Sequence, residues 1–404
     1  MYKLEFLKKI PKTDLHLHLD GSLRIPTLIE LAKENNVQLP SYTVDGLKQL
    51  VFKDRYNSLA EYLQGFIYTV ATLQTAEALE RVAYELAWDN INEGVRYIEV
   101  RFAPQLHINK NLSFEQILEA VNKGLKRAET EYNSSEKIKN NEEPPFHYGI
   151  IVCSLRMFMP MMSEYYRKLF EVHKYSTQEE IFALASIELA KATEKLLNTT
   201  DIPVVGFDLA GQENGYPAGT HKTAYEICHN YFLKKTVHAG EAYGAESIFQ
   251  AITHLKADRI GHGFYLFDEN KIESKKIVDK QKYIRDLANY IADRRITIEV
   301  CLTSNLQTNP NLKDIKEHTF KKMLEHGLSV TICTDNMLMS NTTVTKEIKL
   351  AVDNFNIPLK KLRDIIIYGF KRSFFPGDYM TKRKYCRQII DYYDKIQKEF
   401  YPDA

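Results

Sequence analysis

Four short patterns carry most of the ionisable chemistry in this chain. In Asp14-Leu-His16-Leu-His18-Leu-Asp20 polar and apolar residues alternate. In an extended strand His16, His18 and Asp20 therefore share one face, and the three leucines share the other. His238-Ala-Gly-Glu241, Gly261-His262-Gly263 and Thr334-Asp335-Asn336 each close a later apolar run. A lone H-x-H is a weak metal signal, but ionisable residues gathered at several strand ends are how barrel enzymes assemble a site. Together they predict a metal centre. Three histidines and one carboxylate offer only nitrogen and oxygen donors, which suit zinc and also accept iron or cobalt. Such an ion lowers the pKa of a coordinated water to about 7, giving the nucleophile needed to displace an amine from an aromatic ring. The fourth strand ends in Phe207-Asp-Leu-Ala-Gly211 and has no lysine to bridge a second ion, so one metal per chain is expected.

Glu241 reads either as a helix-start carboxylate or as a proton shuttle. His262 reads as the residue that orients the attacking water or as its base, and its flanking glycines let the backbone pass close to a ligand. Gly211 offers a backbone N–H to a substrate nitrogen.

Positioning these residues requires a particular scaffold. Short runs rich in Val, Ile and Phe alternate with helical periodicity, which points to a parallel sheet. Eight strands are expected at Lys12–Leu19, Arg96–Ala103, His147–Leu155, Val204–Leu209, Lys235–Ala239, Arg259–His262, Ile296–Leu302 and Ser329–Thr334. Clear helices lie between them, such as Ala76–Glu93, stopped by Gly94, and Gln178–Leu197. Eight strand–helix units predict a (β/α)8 TIM barrel filling one domain over residues 1–404, with an open doubly wound sheet as the alternative. The segment between the first two strands is too long for a plain crossover. Within it Leu59, Tyr62, Leu63 and Phe66 follow helical spacing: one reading is core packing, the other a lid over the site. Residues 129–145 are polar, end in Pro-Pro, and read as a solvated mobile loop.

Composition narrows the class further. With 54 basic and 53 acidic side chains, no basic footprint argues for nucleic acid. No run is long and apolar enough for a membrane span, and the N-terminus lacks the apolar core of a signal peptide. Five cysteines without a C-x-x-C pair are expected to be reduced thiols of a cytoplasmic protein. Their absence from any cluster also excludes the Cys/His site and P-C-x-x-C signature of the cytidine-type zinc deaminases.

The ordered motifs His16-Leu-His18-Leu-Asp20-Gly-Ser22, Asp208-Leu-Ala-Gly211, His238-Ala-Gly-Glu241, Arg259-Ile-Gly-His262-Gly and Thr334-Asp335 resemble those of adenosine deaminases in the amidohydrolase superfamily. The resemblance extends from about Lys12 to Thr345. It implies one Zn2+ held by His16, His18, His238 and Asp335, with Glu241 protonating N1 of a purine and His262 beside the attacking water. It further implies substrate contacts from His18, Asp20 (ribose), the Gly211 backbone (N3) and Asn336, with Leu59, Tyr62, Leu63 and Phe66 as an apolar lid. The implied reaction is hydrolysis of adenosine, and of 2′-deoxyadenosine, to the inosine product and ammonia in purine salvage. Family members acting on free adenine carry glutamate where this chain has Asp20, which favours a nucleoside. The alternatives are a related purine, 5′-methylthioadenosine or adenine, or a non-catalytic metal-stabilised binding protein. Two positions depart from the commoner family pattern: Asn336 stands where most members have a second aspartate, and Leu302 where many have proline.

Overall fold

The computed structural model describes residues 2–402. Its strands are β1 (Lys12–His18), β2 (Val95–Phe102), β3 (His147–Leu155), β4 (Val204–Ala210), β5 (Lys234–Ala239), β6 (Arg259–His262), β7 (Thr297–Val300) and β8 (Val330–Ile332). They form one eight-stranded sheet in sequence order, and each consecutive pair is parallel. The last seam closes through the main chain. Leu17 and Asp335 make a parallel bridge, with His18 N–H on the Asp335 carbonyl and Asp335 N–H on the His16 carbonyl, both at 2.8 Å. This closure gives the expected barrel and rules out the open sheet.

The strand sequences follow from that position. A parallel strand covered by helices is buried on both faces, and Leu15, Leu17 and Leu19 lie fully buried under the helical layer. The polar positions of β1 point the other way, into the barrel. Helix Ala76–Asn92 is capped by the Thr75 hydroxyl on Ala78 N–H, and Gly94, at φ +80°, takes the chain back into β2. A side chain at Gly94 would also strike the Lys8 carbonyl. Helix Gln178–Thr199 opens with a Thr177/Glu180 capping box.

Three expectations need correction. β7 stops at Val300, because Leu302 already begins helix Leu302–Thr308. β8 stops at Ile332, ahead of a left-handed turn at Asp335 (φ +62°). Residues 129–145 are not a free loop: helix Phe114–Asn133 runs into them and a short helix, Glu136–Lys139, follows. Ile117, Leu118, Val121, Leu125 and Ala128 are the buried stripe of that first helix, so the polar residues beyond are its outer face. Glu143 then anchors the segment, accepting from Arg96 at 2.7 Å and the Tyr132 hydroxyl at 2.9 Å.

The Leu59–Phe66 stretch is two short helices, Leu59–Leu63 and Phe66–Thr72, separated by Gln64 and Gly65. Among the described residues no helix is long and apolar enough to cross a membrane.

Candidate active site

At the C-terminal mouth of the barrel, ligand atoms of His16, His238, His262 and Asp335 lie within 4.8 Å of one another, and all four residues are buried. His18 joins them: its Nε2 is 3.2 Å from His238 Nε2 and 3.5 Å from Asp335 Oδ1. The inward face of β1, the end of β5, the end of β6 and the turn after β8 thus deliver five groups to one point.

Hydrogen bonds on the far side of each ring fix which nitrogen carries the proton. His16 donates from Nδ1 to Glu299 at 2.8 Å. His238 donates from Nδ1 to Asp208, 3.0 Å from Oδ2. Both rings therefore aim an Nε2 lone pair inward, and carboxylate partners of this kind orient and strengthen metal-binding imidazoles. Nothing satisfies the His16 lone pair: Nε2 is buried without a hydrogen-bond partner and lies 3.4 Å from Asp335 Oδ1. Asp335 holds its other oxygen, Oδ2, on the Ser304 hydroxyl at 2.6 Å. The unpartnered His16 nitrogen, the His18 and His238 Nε2 atoms 3.2 Å apart and one carboxylate oxygen converge in a way that fits a cation.

His262 differs. Phe320 N–H donates to His318 Nδ1 at 2.9 Å, so His318 carries its proton on Nε2 and gives it to Asn305 Oδ1, 3.2 Å away. Asn305 must then present its amide N–H to His262 Nδ1, at 3.1 Å. That leaves a neutral His262 with its proton on Nε2, 3.7 Å from Glu241 Oε1. Burial holds the ring well below the usual histidine range, in the neutral form. An N–H facing the site is a donor to an oxygen rather than a metal ligand, so His18 completes the cation-binding set better than His262. His262 and Asp335 both have positive φ, +65° and +62°, a conformation non-glycine residues hold at a cost, often at functional sites.

A side chain at Gly261 would fall 2.9 Å from His16 Cε1, so this glycine makes room for a ligand ring. Gly211 sits at φ +91°, where a side chain would meet only ordinary contacts at 3.8 Å from Arg156 and Leu155, so its conformation rather than crowding requires glycine.

Beneath the cluster lies a buried ion network. Arg101 pairs with Asp208 at 3.0 Å and Glu299 at 2.9 Å, and Arg259 with Glu299 at 2.6 Å and with Glu99. Burial alone would raise the Glu299 carboxyl, but the two guanidiniums hold it well below the usual carboxylate range. For Glu241 no such cation dominates: burial first, then Asp335 and Glu213, push its carboxyl up to about 8. Asp20 is likewise pushed up to about 7 by burial, and its Oδ1 has no partner. Sequence reading singled out neither Glu299 nor Arg101, although charges inside the apolar runs of β7 and β2 were a visible signal.

The apolar helices reach this site. The Phe66 ring is 6.5 Å from that of His18, edge to face. Leu59, Leu63 and Phe66 are half-buried, whereas Tyr62 is buried. Asn336 donates to the Tyr62 hydroxyl, and its Oδ1 is unpartnered.

Known proteins resemble this chain in sequence and in fold. A family profile described as adenosine deaminase matches residues 11–392. A probable adenosine deaminase of Dictyostelium discoideum is 37% identical over 372 residues, 92% of this chain and 41% of that longer protein. An adenosine deaminase of Clostridium botulinum is 35% identical over 368 residues, 91% of this chain and 95% of its own. Among solved structures, an amidohydrolase from Burkholderia ambifaria with bound Zn superposes with a TM-score of 0.77 at 19% identity, covering 99% of this chain and 95% of that one.

Proposed function

The chain belongs to the adenosine deaminase family, and from that premise we propose that it hydrolyses adenosine, and 2′-deoxyadenosine, to the 6-oxo product and ammonia. The family is one of hydrolytic deaminases, and zinc is the ion we assign to the buried histidine–aspartate cluster. The observation that carries the reading is the His16 Nε2 lone pair, buried and unpartnered among the Nε2 atoms of His18 and His238 and the Oδ1 of Asp335. These four residues would hold the ion, which when bound supplies Lewis-acid activation of water at neutral pH.

The protein's own groups do the rest. Replacing an amine on a purine ring needs a proton at N1, which breaks the aromaticity that resists attack. Glu241, raised to about 8, is a carboxylic acid at neutral pH and can deliver that proton. His262 directs its Nε2 proton at the attacking oxygen and fixes its approach. We assign the ribose contact to Asp20, whose buried Oδ1 is unpartnered, and the N3 contact to the Gly211 backbone. Half-buried Leu63 and Phe66 exclude water from the reacting face. Small molecules, with neither nucleic acid nor membrane as partner, suit so enclosed a site, and a cytoplasmic location suits five unpaired buried cysteines.

The test is a panel of adenosine, 2′-deoxyadenosine, 5′-methylthioadenosine, adenine and AMP with the zinc-loaded enzyme, followed by ultraviolet absorbance. Adenosine and its deoxy form should show the highest kcat/KM. Preference for adenine or AMP would overturn the substrate assignment, and no turnover of any member would overturn the enzyme.

A further inference from the structure

Two residues past Gly211 stands Glu213, 1% exposed and without a lysine, arginine or histidine partner among the described residues. Its carboxylate instead gathers five donors. Oε1 accepts from Gly240 N–H at 2.9 Å and from the Ser247 hydroxyl. Oε2 accepts from the N–H groups of Glu241 at 3.0 Å, Ala242 at 2.6 Å and Tyr243 at 3.0 Å. Four of these donors are consecutive main-chain groups in the turn that leaves β5 after Ala239. Gly240, at φ +76°, starts the turn in the left-handed region, and a side chain there would strike Ile248.

Glu241 itself has no comparable restraint. Its carboxyl makes no hydrogen bond among the described residues, and the neutral His262 ring lies beside it with Nε2 3.7 Å from Oε1. The position of the acid is therefore set through its backbone, and the backbone is set by Glu213. We propose that Glu213 is a positioning residue for the deamination: it fixes the 240–243 turn so that the Glu241 carboxyl meets the purine at the reacting edge. The role rests on the reading of Glu241 as the proton donor. Charge and reach both matter, since an amide in place of the carboxylate would turn an N–H2 toward the main-chain donors.

The experiment is a double-mutant cycle in the zinc-loaded enzyme with adenosine, using Glu213→Gln, Glu241→Gln and the pair. Glu213→Gln should keep its zinc and hold KM within about threefold while kcat falls about 10- to 100-fold, the scale of a misplaced catalytic group. In the Glu241→Gln background the same change should alter kcat less than about twofold, because the two act as one unit. A purely structural staple would cost the same in both backgrounds. Equal losses in the two backgrounds, or an unchanged kcat in Glu213→Gln, would overturn the proposal. Near-normal kcat in Glu241→Gln alone would instead overturn the proton-donor reading beneath it. If Glu213→Gln does not fold, Glu213→Asp keeps the charge, withdraws it by one methylene, and enters the same cycle with the same outcomes.

Discussion

Asn336 donates its side-chain N–H to the Tyr62 hydroxyl at 2.9 Å, and that hydroxyl also lies 3.1 Å from the Ser340 hydroxyl. Tyr62 belongs to helix Leu59–Leu63, and Asn336 follows Asp335 directly. One hydrogen bond thus joins this helix to the residue beside Asp335. The phenol ring is wedged edge-on against Tyr56, with centroids 5.1 Å apart.

The amide nitrogen of Asn336 has a second hydrogen, which can meet an acceptor such as N7 of a purine. Wild type should then discriminate against 7-deazaadenosine by about 1–3 kcal/mol of transition-state stabilisation. Asn336→Ala should abolish most of that difference. Tyr62→Phe removes only the hydroxyl that steadies the amide, and should weaken discrimination while leaving zinc content unchanged. If Asn336→Ala discriminates as strongly as wild type, the amide does not read N7.

The four apolar positions of the cover separate by burial. Phe66→Ala removes a half-buried ring set against His18 and Leu63→Ala a half-buried side chain of the preceding helix, and both should raise KM for adenosine several-fold with little change in Tm. Tyr62→Ala empties a site that is 2% exposed and should cost on the order of 3–5 kcal/mol of stability. Thermal melts and steady-state kinetics on the three variants separate the roles. Unchanged KM in Phe66→Ala, with lowered Tm, would make that residue part of the core instead.

Elemental analysis should find one zinc per chain. His238→Ala should lose most of it, since one of four ligands is gone. His262→Ala should keep it and lose turnover, because the Asn305–His318 relay leaves His262 an N–H donor. Equal zinc loss in both variants would place His262 among the ligands.

Glu241 makes a prediction about the metal-stripped protein. Its carboxyl, raised from 4.5 to about 8 in the fold, binds a proton that the unfolded chain releases near its ordinary pKa. The native state therefore holds more protons between those values, and stability falls as pH rises from about 4.5 to 8. A shift of that size is worth a few kcal/mol, to order of magnitude. Asp14 and Asp20, each pushed up to about 7 by burial, add to the same slope. Denaturant titrations at pH 5 and pH 8 should show a smaller loss in metal-free Glu241→Gln than in metal-free wild type. Equal losses would mean that Glu241 ionises freely in the fold.

The legible part of this site is its local part. A strand repeats every two residues, so the spacing of His16 and His18 already placed them on one face, and the strand-end positions of His238, His262 and Asp335 implied a common edge. The partners that orient those rings are set by barrel geometry, which no local pattern encodes: Glu299 is 283 residues from His16 and Asp208 is 30 from His238. Composition misled at residues 129–145, where the polar surface of a helix reads like a loop. The end of β8 was placed too late because nothing in Thr334-Asp335-Asn336 announces a left-handed turn. Glu213 escaped notice because an acid in a loop is ordinary, and only folding surrounds it with donors.

The closing seam of the barrel has a consequence for biosynthesis. Asp335, which bridges to Leu17 across the β1–β8 junction, leaves the ribosome roughly 300 residues after His16 and His18. The full set of ligands cannot converge until the last strand has been made and has found the first, a contact of very long sequence separation and slow to form. On the proposed ligand set metal would be acquired late in maturation, and a chain truncated before Asp335 would have the histidines without the carboxylate that joins them. An ion held by that set would tie the two ends of the barrel together, so holoprotein should resist opening at that junction, and chelation should expose the junction first to hydrogen exchange.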